Sequence, residues 1–136
     1  MLTKAVVAAL IVEQGKILIA RRAKGETHAF KWEFPGGKLE SGETPEQGLV
    51  REIKEELGLD ILVDKFCASN KFEYKDFTIE LSAYWAKCVN QKQPSLSVHD
   101  EIRFVTPAQL VQFDLTPADI PIMVKAVSVM NKSAAK

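Results

Sequence analysis

The residues of this 136-residue chain best suited to chemistry are three glutamates, Glu52, Glu55 and Glu56, within the stretch from Pro45 to Leu57. On an α-helix, positions i, i+3 and i+4 share one face, so this spacing crowds three carboxylates that repel one another. An oxygen-only donor set suits a hard divalent cation, Mg²⁺ with Mn²⁺ as a substitute. Mg²⁺ also keeps waters and shares its coordination shell with substrate phosphates. Taken alone, the helix has a competing reading: a solvated glutamate face relieved by Arg51 and Lys54.

The helix itself is well specified. Thr44-Pro45-Glu46-Gln47 supplies a capping hydroxyl, Pro at the first helical position and Gln at the third, and Gly58 is a stop. Leu49, Ile53 and Leu57 form an apolar stripe for a core. Upstream, Thr3 to Val12 and Ile17 to Ala20 flank the turn residues Glu13 to Lys16 and predict a β-hairpin. A polar loop from Arg21 to Lys31 precedes a short strand, Trp32 to Phe34, stopped by Pro35-Gly36-Gly37. Downstream, strands are expected over Ile61 to Phe72, Phe77 to Val89 and Ile102 to Val105, the first two joined by a turn at Tyr74 to Asp76. Thr106-Pro107-Ala108-Gln109 and Thr116-Pro117-Ala118-Asp119 repeat the helix-start device, the second leading into a helix over Ile122 to Met130, with a frayed tail after Asn131. The sum is an α/β domain with a mixed or antiparallel-rich sheet and helices on its faces, one domain over 1–136.

Composition narrows the function. Eighteen basic and eighteen acidic residues cancel, so no bulk field recruits a nucleic-acid polymer. A small anion needs only a metal or a few basic side chains. Cys67 and Cys88 lie far apart, without a CxxC or Cys/His pattern, and read as reduced thiols. The N-terminal apolar run is neither a signal peptide nor a membrane span, which points to a soluble cytoplasmic protein with no membrane partner.

Gly37-Lys38-Leu39-Glu40-Ser41-Gly42-Glu43, seven further residues, then Arg51-Glu52-Ile53-Lys54-Glu55-Glu56-Leu57-Gly58-Leu59 fills the defining positions of a known signature. The chain resembles the Nudix hydrolase family, and Arg21-Arg22 with Trp32-Glu33-Phe34-Pro35-Gly36 resembles its MutT-type members. The resemblance implies an α/β/α sandwich with a loop-helix-loop cradle that hydrolyses a nucleoside diphosphate linked to a further group. Carried over by position, Glu52 and Glu56 are metal ligands, Glu55 is a further ligand or base, and the Gly36 carbonyl completes the set. Gly36 and Gly37 are expected to permit the turn that aims this carbonyl. Arg51 orients a carboxylate, with Glu43 in support. Arg22 is assigned to phosphate, as Lys38 is more weakly, against the alternative of solvated basic side chains.

MutT-type members draw a further Glu from a late loop, where this chain aligns Val98. The following His99-Asp100-Glu101 run makes Glu101 the candidate for that role. The span from Leu115 to Met130 is similar to the CTP pyrophosphohydrolase branch, which implies release of a monophosphate and pyrophosphate from cytidine or modified deoxynucleotides. Alternatives are an oxidised-guanine triphosphatase of the 8-oxo-dGTP type, an ADP-sugar or dinucleotide hydrolase, and a nucleotide-binding module without turnover. Asp119 aligns with the Asn that reads modified guanine in MutT. An ionised carboxylate there would accept from the cytosine amine, and the competing role is to close a capping box with Thr116. The sequence leaves monomer and homodimer equally open.

Overall fold

The computed structural model describes residues 2–90 and 93–134. The N-terminal apolar run forms β1 (Leu2–Glu13), which turns through Gln14 and Gly15, both at positive φ, into β2 (Lys16–Arg22). Two successive left-handed residues match the twist of the flanking strands, and the hairpin predicted here forms. It lasts for only the pairs Val12↔Ile17 and Glu13↔Lys16. Beyond them β1 runs parallel to β6 (Phe77–Cys88) and antiparallel to the short β4 (Gly36–Lys38). β2 instead takes β3 (Trp32–Glu33) and β7 (His99–Val105) as antiparallel neighbours, while β5 (Ile61–Glu73) borders β6. One parallel pairing among antiparallel ones makes the sheet mixed, as expected.

Alternation along β1 divides the core. Val7, Ala9 and Ile11 face α1 (Pro45–Leu57), whose Leu49, Ile53 and Leu57 are fully buried against them. Each such side chain contributes about 1.5–3 kcal/mol on burial. Ala8 and Leu10 face the opposite way, toward Trp32, Leu115, Ile122 and Ala126, the last two on α3 (Ile120–Ala134). Helices thus cover both faces of the sheet, the sandwich that the resemblance implied.

The first helix start is built as read. Thr44 Oγ1 accepts from the Gln47 N–H at 3.2 Å, Gln47 Oε1 accepts from the Thr44 N–H at 3.0 Å, and Gly58 caps in the left-handed conformation. The same box opens α2 (Pro107–Leu110), a single turn. The third departs from expectation. Pro117–Asp119 is a 3₁₀ turn in which Thr116 makes no side-chain cap: the Asp119 N–H donates to the Thr116 carbonyl at 3.0 Å, the Thr116 N–H to the Trp32 carbonyl at 2.9 Å, and the Asp119 carboxylate accepts from the Phe34 N–H at 2.9 Å.

Two further expectations need correction. The strand at Trp32 does stop before Pro35, but Gly36 and Gly37 form no turn: they open a new strand, β4, and neither takes a positive φ. What excludes a side chain at Gly36 is the Val7 backbone, which a Cβ would strike. The tail predicted to fray after Asn131 stays helical to Ala134, and residues 135 and 136 lie outside the described residues. Cys67 and Cys88 are free. Among the described residues no helix is long and apolar enough to cross a membrane.

Candidate active site

Arg51, on the second turn of α1, holds the site's frame. Its Nε and Nη2 donate to the two oxygens of Glu43 at 2.6 and 2.8 Å, in the bidentate geometry that makes such pairs strong. Nη1 reaches Glu52 at 2.8 Å and Glu55 at 3.3 Å, and Nη2 also donates to the Lys38 carbonyl at 3.1 Å. One guanidinium thereby joins the loop before the helix to the carboxylates on it. Hydrogen bonds from Arg51, then the Glu40 N–H, hold the Glu43 carboxyl down at about 2. Lys54 relieves none of this crowding; it pairs with Asp60 at 3.0 Å.

The three helix carboxylates occupy different environments. Glu55 is exposed, whereas Glu52 is largely covered and lies so close to Gly37 that a Cβ there would overlap its carboxylate. A side chain at 37 would have to displace the Glu52 carboxylate, so the constraint here is this approach and not a turn. Glu56 is mostly buried, and its Oε1 has no hydrogen-bond partner among the described residues. Burial first, then the charges of Glu33 and Glu52, push its carboxyl up to about 8, with Arg22 opposing. The helix therefore does not present a simple solvated face.

Among the described residues, no three carboxylate, imidazole or thiol side chains converge closely enough, as placed, to enclose a cation. The donor chemistry nevertheless fits one. Glu52, Glu55 and Glu56 offer only oxygen, one oxygen is buried without a partner, and the negative charge around Glu56 is poorly compensated.

A pocket of about 140 Å³ opens nearby, its wall including Arg22, Glu33, Phe34, Gly36, Gly37 and Asp119. Arg22 donates through Nη1 to Glu33 at 3.0 Å and through Nε to the Thr27 carbonyl. Asp119 is buried, and desolvation followed by the Glu33 charge raises its carboxyl to about 7, against the Phe34 N–H and Thr116, which favour ionisation. It lines the pocket while bracing the chain after β3 against the start of α3. Lys38 is exposed at the end of β4, where it faces Lys4.

Glu101 is not brought to this group. It stands opposite Arg21 on β2, and Arg21 is also opposite Trp32, so Glu101 lies on the Trp32 side of the sheet, away from α1. There it pairs with Arg103 at 2.5 Å and approaches Arg21 at 3.9 Å. The β7 residue that does reach the α1 side is His99, 2.8 Å from Glu33. Sequence reading assigned roles to neither Glu33 nor His99. Alternation offered a signal for Glu33, because a charged residue between the buried Trp32 and Phe34 must point to the other face.

A larger apolar cleft of about 580 Å³ lies between the hairpin tip at Gly15 and the end of α3, but among the described residues Lys65 is the sole charged one lining it.

Comparison with known proteins adds three findings. A family model described as NUDIX domain matches residues 1–126. The CTP pyrophosphohydrolase of Escherichia coli is 40% identical over 120 residues, 87% of each chain, and a putative 8-oxo-dGTP diphosphatase 2 of Mycobacterium tuberculosis is 34% identical over 142 residues, 99% of this chain and 96% of that protein. The solution structure of the E. coli ORF135 protein superposes with a TM-score of 0.84 at 34% identity, covering all of this chain and 96% of that one.

Proposed function

This chain belongs to the Nudix family and is a Nudix hydrolase acting on nucleotides, and we propose that it splits a nucleoside triphosphate, preferably a cytidine nucleotide, into a monophosphate and pyrophosphate with Mg²⁺. The observation that carries the metal is Glu56, a buried carboxylate with an unpartnered oxygen and a carboxyl raised to about 8 among other acids. Glu52 and Glu56 would hold the cation, with Glu55 and the Gly36 carbonyl as further donors and Mn²⁺ as a substitute. The cation would supply neutralisation of phosphate charge and acidification of water.

The protein's own groups do the rest. Arg51 fixes Glu52 against Gly37 and keeps the preceding loop in place. Arg22, on the pocket wall, offers guanidinium donors to phosphates lying over the carboxylate face, with Lys38 at the end of β4 as a further cation. Glu55, exposed and within reach of Arg51, remains the base candidate nearest the other carboxylates. A pocket of about 140 Å³ is below the size that takes a whole nucleotide, so it would receive the base while the phosphates lie over the carboxylate face. Glu33 and Asp119 then present acceptors that suit the cytosine amine. Similarity to the CTP pyrophosphohydrolase of E. coli supports the same base.

One observation favours a second substrate. With its carboxyl at about 7, Asp119 retains a proton on part of the molecules at neutral pH and can donate as well as accept, which suits an oxidised guanine. A panel of CTP, dCTP, 5-methyl-dCTP, 8-oxo-dGTP and ADP-ribose, assayed with Mg²⁺, Mn²⁺ or EDTA and with products identified, decides between these readings. Fastest turnover of a cytidine nucleotide to a monophosphate plus pyrophosphate is expected. Turnover in EDTA would refute the metal, and a preference for 8-oxo-dGTP or ADP-ribose would refute the base assignment.

A further inference from the structure

A buried imidazole that the mechanism above leaves unused adjoins the pocket. The His99 side chain is completely buried, and its Nε2 lies 2.8 Å from Glu33 Oε2, to which the tautomer protonated at Nε2 donates. Its Nδ1 has no partner among the described residues. The same Glu33 oxygen accepts from Arg22 Nη1 at 3.0 Å.

Strand register explains the meeting. His99 stands opposite Arg22 across a bulge in the β2–β7 ladder, and Glu33 stands opposite Ala20 on the other side of β2, two residues from Arg22 and on the same face. Three strands thus deliver an acid, a guanidinium and an imidazole to one place, with a single carboxylate oxygen as the junction. Two donors on that oxygen fix its direction. Without the imidazole, the partly buried Glu33 would lose one of two charge-assisted bonds and draw more of the Arg22 donors to itself. Those donors are the ones a phosphate would use.

We propose that His99 is a positioning residue: through Glu33 it holds the Arg22 guanidinium available to substrate phosphate, and so it governs affinity instead of the rate of bond cleavage. This rests on the assignment of Arg22 to phosphate made above.

The test measures KM and kcat for CTP with Mg²⁺, and calorimetric binding of inorganic triphosphate to the metal-free protein, which does not depend on the base. His99→Leu should raise KM and weaken triphosphate binding about tenfold, the size of one hydrogen bond to a charged group, with kcat within about twofold. His99→Gln can still donate to Glu33 and should recover KM to within about threefold. In an Arg22→Ala background, His99→Leu should add nothing further. Should His99→Leu not fold, His99→Asn, too short to reach Glu33, carries the same expectation. A fall in kcat at constant KM, failure of Gln to rescue, or full additivity with Arg22→Ala would overturn the proposal. If Arg22→Ala leaves KM and triphosphate binding unchanged, the phosphate assignment fails and this proposal with it. If Arg22→Ala weakens both while His99→Leu is silent, only the role of His99 fails.

Discussion

Replacing Glu56 with Gln should stabilise the metal-free protein, and by an amount that depends on pH. The Glu56 carboxyl stands at about 8 against 4.5 for the free group, chiefly through burial and then through Glu33 and Glu52. Between those values the native state holds a proton that the unfolded chain has released. Stability from this group is therefore complete below about pH 4.5 and is lost as pH rises through 8. At about 1.4 kcal/mol per unit the full shift corresponds to about 5 kcal/mol, and screening of the partly exposed side chain reduces the working figure to about 2–3 kcal/mol. The Gln side chain has the same shape and no charge to desolvate. In EDTA, urea denaturation should give the two proteins equal stability near pH 5, and Glu56→Gln should be about 2–3 kcal/mol more stable at pH 9, with equal m-values. Asp119, raised to about 7, contributes a similar decline in both proteins and cancels from the comparison. Mg²⁺ should then reverse the order at pH 9, because binding to the native state stabilises only the protein that retains the ligand. Equal stabilities in EDTA at pH 9, or a less stable variant, would refute the reasoning.

Glu52→Gln should lower turnover at least about a hundredfold in Mg²⁺ while leaving the melting temperature nearly unchanged, since Arg51 keeps its two bonds to Glu43; near-normal turnover would show the metal site to be misplaced. Gly37→Ala would drive a methyl group into the Glu52 carboxylate, and an activity loss of about a hundredfold is expected, against which a near-wild-type rate would count. Asp119→Asn can still accept from the Phe34 N–H, so stability should hold while the cytidine-over-guanosine preference falls. A constant preference ratio would leave Asp119 as a strut alone.

The sequence discloses local devices well and long-range ones poorly. The capping box at Thr44, the stripe of Leu49, Ile53 and Leu57, and the stop at Gly58 were all legible, because each is completed within a few residues. The crowding of Glu52, Glu55 and Glu56 was legible for the same reason, but their unequal environments were not, since these depend on the close approach of Gly37 and on the charge of Glu33, both from other strands. Glu101 was the candidate because the resemblance calls for a late Glu, and spacing alone does not show the bulge that turns His99 to the α1 side instead. The irregularity between Arg21 and Arg22 in the β2–β7 ladder determines which of the two reaches the α1 side. Asp119 carried a plausible local role in a capping box with Thr116, but the Thr116 N–H goes to the Trp32 carbonyl and the Asp119 carboxylate accepts from the N–H of Phe34, 85 residues away.

The Arg51 clamp bears on how ligand binding would look in a calorimeter. Because Arg51 already joins Glu43, Glu52 and the Lys38 carbonyl, the loop from Lys38 to Glu43 is in place before any ligand arrives. Ordering such a segment costs about 1–2 kcal/mol per residue in backbone entropy, and here that cost falls on folding instead of on association. Cation and nucleotide should thus bind with a small heat-capacity change, without the signature of coupled folding, and the loop amides should resist hydrogen exchange to much the same degree in the free and bound protein.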